Sequence, residues 1–469
     1  MRASRHVLGY LLLAGLLMAQ PALADADAPA PAAATTAAPT GPACDQGFFS
    51  RLGQAYSDDA NGNGPAATNL VPTQGRRGLP APFDSPPLPS AEWQLGGVDY
   101  PIGVPNEDGR GPLQQALGCD GIGKWMDDNR IEVLGWINPS VNLSTSHDTN
   151  YPVSYITRSD AAVLDQIIFR VARMPDTVQT DHMDWGFHFD MLYGYDYHYT
   201  AAQGIESWEL EEGKYYGFDP MIFYGDIYIP SVAQGMQITV GRFLSLPDIE
   251  AQFSPQNYLM THSVLYTVDP YTQMGVITTT KLNDNWTVQF GVNCSPDTAC
   301  WEKDRTLSGS ACVRWVSSDN NDMLYPCINN WNRGDYNYNN VQMSVITWGH
   351  RFSENVSILT EAYRMYGRNV PGFPPGHVPE YGVVNYLNIK LSDKTFMSIR
   401  NEYYNDADGQ RTGFATHYSS HTLGFSHWAT PDLEVRPEVR FDHSYDLDAY
   451  DGGKKNNQLL AAMDVILHY

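Results

Sequence analysis

Glu434, Arg436, Glu438, Arg440 and Asp442 occupy every second position of one stretch, with Leu433, Val435, Pro437, Val439 and Phe441 between them. Successive side chains of a strand point to opposite faces, so the stretch predicts one apolar face and one face carrying a row of alternating charges. Arg400 and Glu402, on the expected neighbouring strand but one, write a shorter version of that row, and Arg170, His188 and Asp190 are candidates on the same argument. Fixed charges of both signs have two uses. Across a water-filled gap they set a transverse field that tunes which ions pass; with no gap they satisfy one another as salt bridges.

Other chemistries are weaker. Asp248 with Glu250, or Glu211 with Glu212, would serve as glycosidase carboxylates if held about 5–9 Å apart, but acids in polar loops are more simply solvated or bridged by divalent cations. His417, His421 and His427 sit on one predicted strand, and His182, His188 and His198 near another. At strand spacing His417 and His421 share a face, yet no convergent acid or Cys accompanies them, so no metal is expected. The chain contains no G-x-S-x-G, Walker loop or H-E-x-x-H. A catalytic set cannot be assembled, and no cofactor is implied.

The two-faced stretch needs something behind its apolar row. That is a core in a water-soluble sheet, or acyl chains if the sheet closes in a bilayer around an aqueous lumen. Arg2 and Arg5 precede an apolar run from Val7 to Ala19 and then Pro21, Ala22, Leu23 and Ala24, which reads as a secretory signal over 1–24. No later run reaches the roughly 18 apolar residues of a membrane helix. Aromatic residues are 12% of the chain, while the mean hydropathy is only −0.36, as expected where each lipid-facing residue alternates with a polar one. The formal charge is −24. Nucleic acid is therefore an unsuitable partner, and cations are favoured over anions.

Period-2 runs separated by turn residues predict hairpins around Asn283-Asp284, Ser353 to Asn355, Ser392 to Lys394 and Thr430 to Asp432. With further runs near 130–144, 162–173, 183–197, 220–229, 235–243 and 457–469 the expected total is about 14 strands, within 12–16. If the first strand starts at the periplasmic side, each even-to-odd connection is short and the odd-to-even ones are usually longer, the sorting of an outer-membrane barrel. The expected architecture is an all-β, antiparallel, up-and-down transmembrane barrel over 130–469, with short periplasmic turns and long extracellular loops. Residues 25–129 are expected to form a flexible Ala/Pro-rich leader and an irregular Pro/Gly-rich segment. Met463, Val465, Leu467 and the terminal Tyr469 share a face, resembling the C-terminal signal read by the barrel-assembly machinery.

Six cysteines in an exported chain point to disulfides. Of the possible pairings, proximity favours two bridges among Cys294, Cys300, Cys312 and Cys327, and one between Cys44 and Cys119.

The sequence also resembles the OmpL-like β-barrel porins of bacterial outer membranes over roughly 85–469. The resemblance is carried by Gly135-Trp136-Ile137-Asn138-Pro139, Tyr193-Gly194-Tyr195-Asp196 and Tyr216-Gly217-Phe218-Asp219-Pro220. Its most specific part is Gly241-Arg242-Phe243 followed by Pro247-Asp248-Ile249-Glu250, Asn257-Tyr258, His262-Ser263 and Asp269-Pro270-Tyr271-Thr272. It implies an outer-membrane channel and brings no catalytic residue; residues 294–327 match nothing in it. Arg242 falls where the fifth strand meets its outer loop, and is expected to fasten loop 244–270 by bonding Asp248 or Glu250. The leading expectation is passive diffusion of small hydrophilic solutes or ions through a lipid-embedded barrel, mildly cation-selective, with the oligomeric state left open. The alternatives are an enzyme on a barrel wall and a soluble periplasmic glycan-binding β protein.

Overall fold

Alternation of apolar and polar residues turns most of the chain into strands, and the strands close on themselves. The computed structural model describes residues 44–63, 93, 101–104, 111–119, 121–334 and 339–469. The expected signal segment, 1–24, lies outside them. The strands are β1 (Glu132–Ser144), β2 (Ala162–Arg173), β3 (Asp184–Gly194), β4 (Gly217–Ile229), β5 (Met236–Leu244), β6 (Thr272–Lys281), β7 (Trp286–Pro296) and β8 (Ser308–Val316). They continue as β9 (Asp322–Trp331), β10 (Val341–Ser353), β11 (Val356–Arg368), β12 (His377–Ser392), β13 (Thr395–Asp406), β14 (Thr416–Thr430), β15 (Leu433–Ser444) and β16 (Asn457–His468). Each pairs antiparallel with its neighbours in sequence, and β1 closes the barrel on β16, with Trp136 opposite His468 and Ser144 opposite Leu460.

The barrel thus has 16 strands, not about 14. The additional pair is β8 and β9, inside the stretch 295–339 that reads from sequence as one long loop. Both strands hide their pattern: β8 opens with Ser, Gly, Ser and Ala, and β9 carries Pro326 at its middle, which ordinarily argues against a strand. Cys312 and Cys327 sit directly opposite each other in this hairpin and are bonded. The other bridges are Cys294–Cys300 and Cys44–Cys119, so the pairing expected from proximity is present. Adding a hairpin preserves parity, and the short turns and both strand termini still share one end.

The outward row of β15 is half-buried at Leu433, Val435 and Pro437 and exposed at Val439, 49%, and Phe441, 43%, while its charged row is buried. Exposed apolar side chains continue around the wall, among them Val240, Phe290, Ile346 and Leu423. Trp185, Trp286 and Trp348 are exposed near the short-turn end, and Tyr193, Trp331 and Tyr381 near the loop end. An apolar band between two aromatic belts is the outer surface of a membrane barrel. No helix among the described residues is long and apolar enough to cross a membrane.

The segment before β1 is not uniformly irregular. It contains helices α1 (Phe48–Ala60), α2 (Pro112–Leu117) and α3 (Gly121–Asp128), with Pro112 favouring helix entry at the first turn of α2. Arg51 Nε donates to Ala116 O at 2.8 Å, and Gln115 Nε2 donates to the Asp59 carboxylate at 2.9 Å, so α1 and α2 are tied together beside the Cys44–Cys119 bridge. Tyr56 Oη donates to His468 O at 2.9 Å, placing this unit at the short-turn end. Trp93 is buried at the same end: its indole donates to Asn320 O at 3.2 Å, and Arg351 stands 4.6 Å over its ring.

Candidate channel interior

The lumen is shaped by the connection between β5 and β6, residues 245–271, which turns inward. Leu246, Ile249, Tyr258, Leu259, Val264 and Leu265 give this loop an apolar side. It packs against inward-facing Tyr325, Met343, Tyr363, Val384, Tyr386 and Tyr404 of β9 to β13, so part of the lumen wall is a hydrophobic core. A segment without a strand partner must satisfy its backbone some other way. Here the wall side chains do it.

Glu361 of β11 accepts from Ile249 N at 3.1 Å. Glu438 accepts from Met260 N at 2.9 Å and Thr261 N at 3.1 Å, and Glu402 accepts from Leu265 N at 2.6 Å. The arginines take the carbonyls. Arg436 donates to Ser254 O at 2.7 Å and Asn257 O at 2.8 Å, Arg440 to His262 O, and Arg400 to Thr261 O. From β2, Gln166 donates to Gln252 O at 2.7 Å and accepts from Ser254 N at 3.2 Å. At the loop's far end Ser263 caps the turn Val264–Thr267 by accepting from Tyr266 N at 2.9 Å, and Arg411 Nε donates to Val268 O at 2.9 Å.

The charged row on β15 therefore points inward with its charges engaged. Arg436 pairs with Asp464 and Arg440 with Asp442, while Glu434 accepts from Ser426 Oγ. Glu434, Arg400 and Arg440 are each 0% exposed. Beyond the β1–β16 seam, on β2 and β3, Arg170 holds Asp190 through two 2.9 Å bonds, His188 Nε2 lies 3.0 Å from the same carboxylate, and Tyr224 Oη lies 2.9 Å from His188 Nδ1. The Arg170 guanidinium stacks 4.9 Å over Phe253 of the loop, a cation–π contact.

Loop anchoring differs from the sequence expectation. Arg242 is turned to Asp219 at 2.8 Å, Pro220 O at 2.8 Å and Thr200 O, so it fastens the connection between β3 and β4. Its place at the end of β5 aims it across β4 rather than along its own loop. Glu250 is instead held from the opposite wall by Arg400 at 3.1 Å and Tyr386 Oη, and within the loop by Ser263 N at 3.0 Å. Asp248 is half-buried beside Asp269; desolvation pushes its carboxyl up to about 7, opposed by the Asp269 hydrogen bond and aided by the charge of Glu250.

The histidines do not assemble. His417 bonds Asp446, His421 bonds Asn401 at 2.8 Å and His427 bonds Thr395 at 2.9 Å, each on its own neighbour. Glu211 and Glu212 are exposed in the loop between β3 and β4. Among the described residues no three His, Cys, Asp or Glu side chains converge as a metal site would require. Sequence reasoning missed Glu361, Tyr363 and Tyr386, and it missed Gly382 and Gly424, which leave room for the loop. Their signal was present as inward parity in β11, β12 and β14.

These features meet independent comparisons. Among solved structures, Pseudomonas putida OprB at high pH is similar with 12% identity and a TM-score of 0.51, covering 74% of this chain and 96% of that one. An anion-selective porin from Comamonas acidovorans has 9% identity and a TM-score of 0.46, covering 72% and 99%. The DcaP channel of Acinetobacter baumannii has 9% identity and a TM-score of 0.45, covering 72% and 97%. No curated protein matches the chain by sequence. The family described as "Putative beta-barrel porin-2, OmpL-like" matches residues 130–469. With a closed 16-stranded wall, an apolar outer band and a polar interior entered by a loop, the chain belongs to this porin family and is a channel of the bacterial outer membrane, not an enzyme.

Proposed function

We propose that the channel passes small hydrophilic solutes or ions passively, and that the position of loop 245–271 sets how much of the lumen is open. The observation that carries this reading is the set of wall contacts on the loop backbone: Glu361, Glu402, Glu438, Arg400, Arg436 and Arg440 all spend hydrogen bonds on it. The inward row then fixes the constriction by holding the loop, and Arg170, His188 and Asp190 continue it on β2 and β3, where Arg170 stacks on Phe253 of the loop.

Mild cation preference is proposed from the charge balance, −24 overall, with Asp148, Asp160, Glu211, Glu212, Asp446 and Asp448 exposed in the loops that surround the mouth. A cleft lined by one sign of charge raises the local concentration of counter-ions. Recognition by the barrel-assembly machinery is proposed for Tyr469, whose backbone completes the seam with Gly135 through bonds of 2.8 and 3.1 Å. The test is reconstitution in a planar bilayer under a KCl gradient. Discrete conductance steps with a reversal potential on the potassium side are expected. Absence of steps refutes conduction, and a reversal potential on the chloride side refutes the cation preference.

A further inference from the structure

Most outward positions of the barrel face lipid, but one patch does not. Val133 on β1 and Phe169 and Val171 on β2 have outward parity, with Val133 opposite Val171 and Gly135 opposite Phe169. They are covered by Leu113 and Leu117 of α2 and Met126 of α3, with Ile131. These helices therefore lie on the outside of the wall, where acyl chains or headgroups would otherwise be.

Their height is fixed by hydrogen bonds. Asn129, just past α3, offers its carbonyl to Arg173 Nε at 3.2 Å, and Arg130 pairs with Asp184. The same Arg173 guanidinium lies 4.2 Å over Trp185 of the short-turn aromatic belt, and Asn129 Nδ2 donates to Trp125 O at 2.7 Å. Trp125 is thus one helical turn from a residue bonded at belt level.

α3 is sided. Its buried side is Gly123, which abuts the end of α2 at Leu117 and Gly118, and Met126, which packs on the barrel. At 100° per residue, Ile122 and Trp125 fall on one flank of that buried face, and Lys124, Asp127 and Asp128 fall on the rest of the circumference. Ile122 is 56% exposed and Trp125 55%. The residues that end α3 meet the β3 end through Arg130–Asp184 and Arg173, beside exposed Met183 and Trp185.

We infer that α3 is an interfacial helix: the Ile122–Trp125 flank inserts into the headgroup and upper acyl region of the periplasmic leaflet, extending the aromatic belt over β1 and β2. The occupant is a phospholipid, because α3 packs on the outward face of β1 and β2 and is bonded at the level of the exposed Trp185, and an indole with one apolar and one polar edge suits that depth. This rests on the membrane-barrel reading, and the test separates the two.

The full chain is reconstituted in vesicles containing phosphatidylcholine brominated near the glycerol end of its acyl chains. Tryptophan emission is compared between the natural protein and Trp125→Phe, with heat-modifiable gel mobility checking the fold of both. The chain has 11 tryptophans, and exposed Trp185, Trp286 and Trp348 report whether the barrel itself is embedded. The expected result is that the emission difference assigned to Trp125 is lost in brominated vesicles and is insensitive to aqueous iodide. Loss to iodide but not to bromine, while the remaining tryptophans are quenched by bromine, overturns the helix assignment and leaves the barrel standing. Absence of bromine quenching at every tryptophan overturns both. A photocrosslink from p-benzoylphenylalanine at position 125 to a second copy, instead of to lipid, also overturns it.

Discussion

Leu259 of the inward loop lies against Gly424 of β14: a Cβ at Gly424 would stand 2.4 Å from Leu259 Cδ2. Gly382 of β12 has the same relation to Leu265, again at 2.4 Å. Two glycines in strand interiors, each a local cost to the sheet, thus make the hollows in which the loop's leucines seat.

Filling these hollows should lift the loop. Gly424→Val and Gly382→Val put branched side chains where the leucines pack, an overpacking cost of about 1–3 kcal/mol each. The expected outcome is a folded, heat-modifiable barrel with larger single-channel conductance and faster amide exchange at Leu259 or Leu265. Unchanged conductance and exchange in both variants would show that the loop does not set the opening.

Glu438 is the second lever. Its carboxylate takes the amides of Met260 and Thr261 and the hydroxyl of Thr261. Glu438→Ala leaves those donors unmet and removes a negative charge beside Arg400 and Arg440. Breaking a buried ionic group in this way typically costs roughly 3–5 kcal/mol. Hydrogen exchange should rise at Met260 and Thr261 by orders of magnitude while the β10–β13 amides stay protected. Equal loss of protection across the barrel would mean that Glu438 holds the wall and not the loop.

Arg242→Ala tests the reassigned anchor. Its guanidinium serves Asp219, Pro220 O and Thr200 O, so the expected consequence is release of the connection between β3 and β4, with new protease cleavage within 195–216 and little change at 245–271. Cleavage confined to 245–271 would restore the sequence-based expectation.

The contrast between these residues shows how far the sequence could be read. Strand alternation identified the wall, because each face of β15 meets a different medium and each substitution class is confined to one parity. It also identified the inward charges. Their loop partners were not legible, since Arg436 and Glu438 bond backbone atoms of a loop some 180 residues away in addition to their side-chain partners Asp464 and Thr261, and backbone atoms leave no trace in residue type. β8 and β9 escaped for a different reason: small residues, a cysteine pair and Pro326 weaken the period-2 signal on which strand recognition depends. The helices before β1 were masked by neighbouring Pro and Gly, although Leu113, Leu117 and Met126 do supply an apolar stripe.

Asp432, in the turn between β14 and β15, gives the short-turn end a pH dependence. Burial pushes its carboxyl up to about 7, and the charge of Asp59 on α1 adds to the effect; burial also raises Asp59. A carboxyl whose folded-state pKa lies above its unfolded value of about 3.9 binds more protons in the folded state, so its ionisation opposes docking at neutral pH. That opposition fades as pH falls from about 7 and is gone near about 4. Amide exchange in Phe48–Ala60 should therefore slow between neutral pH and about 4, after correction for the intrinsic pH dependence of exchange. Asp432→Asn should show the slower, acid-like protection already at pH about 7 and little further change on acidification. If the natural protein instead exchanges faster in α1 as pH falls through this window, the carboxyl pair is not what governs how the helix docks.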